Sequence, residues 1–308
     1  MRPLHTDLPA PAGGMNAAAR PTGIVLGLVV AVVAVLATTL VPGVWAIWSG
    51  FATGVFSSDA VGTDGFSGFV VMLSFALGAL WLWLWLRAKE RRPFASLGFE
   101  RQRGRSWLAL AARGLGVGIV MIVVCVLVPV VLGQARLEWA NPSGTGVALI
   151  AGMLLAFLVQ GSTEEILTRG YLTQVVARRW GLVMAVVVQG LFFTLVHGMS
   201  AGIGVLPIVN LLLFALFASM YSLAEGGLWG VCALHGIWNW AQGNLFGVAV
   251  SGNTVDSLFA YAPQADASEL LTGGAFGIEG SIVTTVVYAV AAFVAWRGFR
   301  ARRLRAAV

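Results

Sequence analysis

The sequence predicts an all-α fold, a polytopic membrane helical bundle with about eight transmembrane helices. Three observations carry this. Of the 308 residues, 58% are hydrophobic and 10% charged, whereas a soluble domain carries roughly 25% charged residues. The mean hydropathy is +0.87. Several apolar runs exceed the roughly 18 residues that a bilayer-spanning helix needs, and they are unbroken rather than alternating, which excludes a β-barrel.

In chain order, residues 1–20 are polar with Pro and Ala and read as a disordered cytoplasmic tail. The run from Ile24 to Trp48 is too long for a signal-peptide core and lacks a clear small-x-small cleavage site. It reads as a retained first helix, about 22–48, interrupted at Pro42. The second span, about 68–87, ends in Trp81, Trp83 and Trp85, which read as interfacial anchors. The third, about 107–133, carries Gly114 and Gly118 at the spacing of close helix packing, with Arg113 placed to snorkel to the interface. The fourth begins near 146 and runs past Glu164. The remaining four are about 181–201, 205–223, 227–249 and 281–296. This gives a transmembrane bundle over 21–298 with its polar core at 145–250, and a basic cytoplasmic tail at 299–308. In the long loop 250–280, Gly273, Gly274 and Gly277 mark turns or a re-entrant segment. Cys125 and Cys232 lie in apolar runs and read as small buried hydrophobes rather than a disulfide.

The net charge is +6, but nearly all Lys and Arg sit in short loops beside apolar spans. That is a topology signal, not a nucleic-acid surface. With the N-terminus in the cytoplasm and eight spans, the external loops hold Arg136 as their one base. Against it stand Asp59, Asp64, Glu138, Asp256, Asp266, Glu269 and Glu279. Both termini are therefore expected in the cytoplasm, with the protein multi-pass in the cell inner (plasma) membrane. Glu225 reads as a solvated residue of a cytoplasmic loop.

Ionisable groups within membrane spans are costly and mark function. Here they are Glu164, Glu165 and Arg169 in the fourth span, His197 in the fifth and His235, with Asn239, in the seventh. Residues four apart share a helix face. Glu165 thus reaches Arg169, Phe193 lies over His197, and His235 lies beside Asn239, while Glu164 points about 100° away from Glu165. Counted from an interface at Arg178–Trp180, Glu164, His197, His235 and Asn239 come to depths of roughly 13 to 24 Å, which permits one cluster. A buried carboxylate can serve as a general base towards water, an imidazole can hold that water, and a His/Asn pair can donate to an oxyanion. No Ser or Cys in the set has a triad-like partner.

At these residues the sequence resembles the CPBP family (CAAX proteases and bacteriocin-processing enzymes, also called Abi), which includes the type II CAAX prenyl endopeptidase. The motifs EExxxR, FxxxH and HxxxN stand in order as Glu164–Arg169, Phe193–His197 and His235–Asn239. The resemblance is close over about 145–250. It implies a helical bundle around a cavity open to the cytoplasm and intramembrane glutamic endopeptidase activity. It makes Glu164 the water-activating base, His197 its partner, His235 and Asn239 the oxyanion stabilisers, and Glu165, Arg169 and Phe193 supporting residues. The expected partners are a peptide or lipidated protein substrate and membrane lipids, with no nucleic acid; the oligomeric state is open. No cofactor is expected. Zinc on Glu164, His197 and His235 is the alternative, although the one-helix HExxH motif is absent. A non-catalytic scaffold or bacteriocin-immunity protein, binding a peptide in the same pocket, is the alternative function.

Overall fold

The computed structural model describes residue 5 and residues 7–40, 65–102, 104–200 and 203–306. Residues 41–48 of the expected first span, and the acids Asp59 and Asp64, lie outside the described residues. In order, the elements are α1 (Ile24–Thr38), α2 (Gly65–Ser74), α3 (Ala76–Trp85), α4 (Trp107–Val131), β1 (Ala135–Trp139), α5 (Gly144–Glu165), α6 (Thr173–Val196), α7 (Val205–Glu225), α8 (Trp229–Trp240), β2 (Phe259–Pro263), α9 (Glu269–Thr272) and α10 (Ile282–Ala306). The fold is nearly all-α.

Local chemistry sets the helix ends. The Ser143 hydroxyl accepts the Gly146 N–H at 3.1 Å and caps α5. Ser281 caps α10 in the same way through the Thr284 N–H. Gly226, at φ 81, ends α7 in a left-handed cap.

Among the described residues, five helical runs are long and apolar enough to cross a membrane, against the eight spans expected. Part of the difference lies in residues 41–64, outside the described residues, and part in where helices turn or loosen. As described, α1 is 15 residues, short of a full crossing. Helix α8 has 12 residues and then loosens into a π-helical turn, Ala241–Leu245. The expected fourth and fifth spans form one helical run over Gly144–Val196 that turns at Gly181, with φ 80 and ψ 172.

Helix α8 is the centre of the bundle. It is apolar nearly all round and packs between α4 and α5, while α10 packs along α7. The contacts are backbone to backbone. Gly114 lies on Gly230, and Gly118 lies on Leu234 and Ile237, so the GxxxG spacing does mark close packing. On the other side, a Cβ at Gly236 would stand 2.7 Å from Leu158 Cα, and one at Gly161 would stand 2.8 Å from Gly236 N. Gly236 lies between His235 and Asn239, so this approach sets how near both come to Glu164. Gly236→Val is expected to destabilise by about 1–3 kcal/mol or more, because backbone cannot give way. Thermal melting of the purified protein checks it, and an unchanged midpoint would contradict this packing.

The two ends of the bundle differ. At the basic end, Arg105 donates to Glu225 O at 2.8 Å and Arg302 to Leu223 O at 3.1 Å. At the other end β1 pairs antiparallel with β2, from Ala135↔Pro263 to Trp139↔Phe259, and Asn210 Nδ2 donates to Glu279 O and Ser281 O. The short ribbon was not foreseen. It ties the 134–143 connection to the 250–280 segment.

Three expectations are corrected. The N-terminal segment is not disordered where it is described: Ala12–Ala17 forms a 3-10 turn with Ala12 and Met15 buried. Gln174 Nε2 donates to Pro11 O at 2.9 Å and to Ser96 O at 2.8 Å, and Arg92 donates to Gln174 Oε1. A polar composition concealed the few small apolar side chains that fill this gap. Residues 299–306 continue α10 rather than forming a tail, with Phe299 buried. Glu225 is buried, not solvated, because its carboxylate accepts the Gly230 N–H at 2.9 Å at the start of α8. Beyond the expected anchoring, Trp81 donates to Val30 O in α1 and Trp85 to Thr22 Oγ1 just before it, both at 3.1 Å.

Candidate active site

Glu164 and Glu165 close α5, and the chain then passes through a π-helical turn, Ile166–Leu172. Such turns are rare and recur at functional sites. Here the turn carries Arg169 and keeps the two glutamates on different faces. Arg169 Nη1 donates to Glu165 Oε1 at 3.1 Å and to Thr168 Oγ1 at 2.8 Å. The guanidinium lies 4.7 Å from the Phe193 ring centroid and 5.5 Å from that of Phe214.

Glu165 does more than pair with Arg169. Its Oε1 also meets His235 Nδ1 at 2.8 Å. His197 ends α6, and its Nδ1 meets Phe193 O at 2.9 Å. A carbonyl oxygen only accepts, so Nδ1 of His197 carries the proton, and in the neutral ring its Nε2 is bare. The carboxylate of Glu165 fixes His235 in the same tautomer.

Both Nε2 atoms point towards one oxygen. Glu164 Oε2 lies 3.9 Å from His197 Nε2 and 3.8 Å from His235 Nε2. These separations exceed hydrogen-bond length. With neutral rings, three acceptors converge with no donor among them. Glu164 Oε2 is buried without a hydrogen-bond partner, and polar atoms so placed call for a water between them. Room exists. Glu164, His197, His235 and Asn239 all line one cavity of ≈ 160 Å³, walled by Phe157, Phe193, Phe214 and Trp238, which is ample for water.

The other oxygen of Glu164 is held by a residue that sequence reasoning missed. Gln160 Nε2 donates to Glu164 Oε1, and Asn239 Nδ2 donates to Gln160 Oε1 at 2.9 Å. Asn239 therefore reaches Glu164 through Gln160 rather than directly. Gln160 lies one helical turn before Glu164, and that i, i+4 spacing is the signal that could have found it. Gln160→Ala frees both side chains, and such misplacement costs up to about 10²-fold in kcat. Turnover of the purified variant checks this, and wild-type turnover would contradict it.

The cavity is also lined by Ser200, Val250, Ser251, Asn253, Val255 and Glu279. These belong to the end of the bundle opposite the basic one. The resemblance implies a cavity open to the cytoplasm, whereas the charge count puts this end outside, so the two expectations disagree. As for zinc, no group of three His, Cys, Asp or Glu placed to hold a metal ion is found among the described residues.

Fold and site together define a multi-pass membrane protein with an aromatic-walled cavity that holds a few polar groups inside an apolar bundle. Residues 146–241 match the family model described as type II CAAX prenyl endopeptidase Rce1-like, which supports membership in the CAAX-protease family and a peptidase kind of function. The match spans less than half of the chain and contains Gln160, Glu164, Glu165, Arg169, Phe193, His197, His235 and Asn239, but not the lining residues from Val250 onwards. No curated protein and no solved structure matches.

Proposed function

We propose that the protein is an intramembrane glutamic endopeptidase. It hydrolyses a peptide bond of a lipidated or membrane-associated peptide with a water activated by Glu164. The observation that carries this is the buried, unpaired Glu164 Oε2 facing two imidazole Nε2 atoms across a cavity.

A water among these atoms donates one hydrogen to Glu164 Oε2 and the other to His197 Nε2. As its oxygen attacks the carbonyl carbon, its proton passes to Glu164. The oxyanion is met by the free N–H of Asn239 and by His235 in its doubly protonated form. In that form Nδ1–H stays on Glu165 and Nε2–H faces the cavity. Glu165 accepts from that imidazolium and is itself held in place by Arg169. When the C–N bond breaks, Glu164 returns its proton to the leaving amine, which restores the carboxylate. No step needs a metal.

The test is cleavage of a membrane peptide by the purified full chain. Wild type is expected to cleave, and Glu164→Gln and His197→Ala are not. Full activity in both variants would end the proposal.

The charge bias places both termini in the cytoplasm and the 250–280 end outside. Reporter fusions at the two termini are expected to report cytoplasmic exposure. Exposure on the opposite face would invert this orientation.

A further inference from the structure

Glu279 takes no part in the reaction above, yet its carboxylate lines the same cavity. It stands on a 3-10 turn, Ile278–Gly280. One oxygen, Oε2, is held by three donors: the Ser251 N–H at 2.9 Å, Ser251 Oγ at 3.1 Å and Gln242 Nε2 at 3.2 Å. Its backbone oxygen is held by Asn210 at 2.7 Å. The side chain is therefore fixed, while Oε1 has neither a hydrogen bond nor an ion pair among the described residues. No Lys or Arg lines the cavity among the described residues. Arg169, which stacks on two of the aromatic walls, is engaged with Glu165. A fixed carboxylate in an aromatic-walled cavity, with no Lys or Arg beside it among the described residues, is matched by a cation.

The geometry points to Glu279 as a cation-accepting subsite: the substrate is an apolar peptide segment that seats a Lys or Arg side chain, or an amino group, on Glu279 while its scissile bond lies at Glu164. This rests on the endopeptidase reading and adds the substrate class to it.

The experiment separates the two claims. Full-chain protein carrying Glu164→Gln is placed in phosphatidylcholine nanodiscs, which removes the competing acid and blocks turnover. Binding is measured for three synthetic Leu/Ala peptides that differ at one flanking position, Arg, Gln or Glu. The Arg peptide is expected to bind at least about tenfold tighter than the Glu peptide. Adding Glu279→Gln is expected to bring the two together and leave the Gln peptide unchanged. Ser251→Ala removes one hydrogen bond and keeps the charge, so the preference is expected to survive it. Equal affinities for the three peptides overturn the subsite, even if Glu279→Gln fails to fold. So does a preference that survives Glu279→Gln. Cleavage of the same peptides by wild type reads the endopeptidase claim separately: selective binding without cleavage sinks the reaction and keeps the subsite.

Discussion

Glu164→Gln is expected to lower cleavage by about 10²–10⁴-fold, the range of a positioned general base, while the melting midpoint stays close to wild type. The amide fills the same space and keeps an oxygen for Gln160 Nε2 to donate to. What it loses is the capacity to take a proton from water at Oε2. A pocket used only for binding predicts the opposite outcome, with the biological effect intact in the same variant. His197→Ala removes a water partner rather than the base, so its loss is expected to be smaller than that of Glu164→Gln. Comparing the two reads the hierarchy of roles, and a larger loss from His197→Ala would make the imidazole the primary base.

Arg169→Met is expected to be the most destabilising substitution in the site, by about 3–5 kcal/mol. Removing one member of a buried ion pair leaves the other charge uncompensated. Arg169 and Glu165 are both fully buried in their side chains. Without the guanidinium, Glu165 keeps only His235 as a charge-bearing partner. The double variant Glu165→Gln/Arg169→Met removes the stranded charge and is expected to recover much of the stability. It is not expected to recover cleavage, because His235 Nδ1 would face a neutral amide and its doubly protonated form would lose support. Melting and turnover measured on both variants check the two statements independently. A double variant as unstable as the single one would show that the pair's charge is not what holds the turn.

The polar core was legible in the sequence for a physical reason. Charged groups are so costly within apolar spans that each one demands an explanation, and the i, i+4 spacings of Glu165–Arg169, Phe193–His197 and His235–Asn239 fixed which faces they share. Spacing could not reveal the bonds between helices. Glu165 reads as the partner of Arg169 on its own helix, yet its shorter contact is to His235, seventy positions away. Gln160 escaped notice because a neutral amide raises no alarm in an apolar run, although it joins the base to Asn239. Glu279 was counted only as an external negative charge, since nothing in a loop's composition says that it folds back over a cavity. The N-terminal turn and the β1–β2 ribbon were missed for the same reason. Each gains its stability from long-range partners, such as Gln174 for Pro11 and Phe259 for Trp139, rather than from local pattern. The expected eight spans do not map one to one onto bilayer-length helices among the described residues, because apolar runs do not show where a helix turns, as at Gly181, or loosens, as after Trp240.

The measurement that bears most directly on the central claim is an experimental density map of the protein in nanodiscs, resolved well enough to show ordered water. An ordered water within about 3 Å of Glu164 Oε2 and of at least one of the two Nε2 atoms is the expected result. A dry cavity, or either imidazole turned away from Glu164, would contradict it.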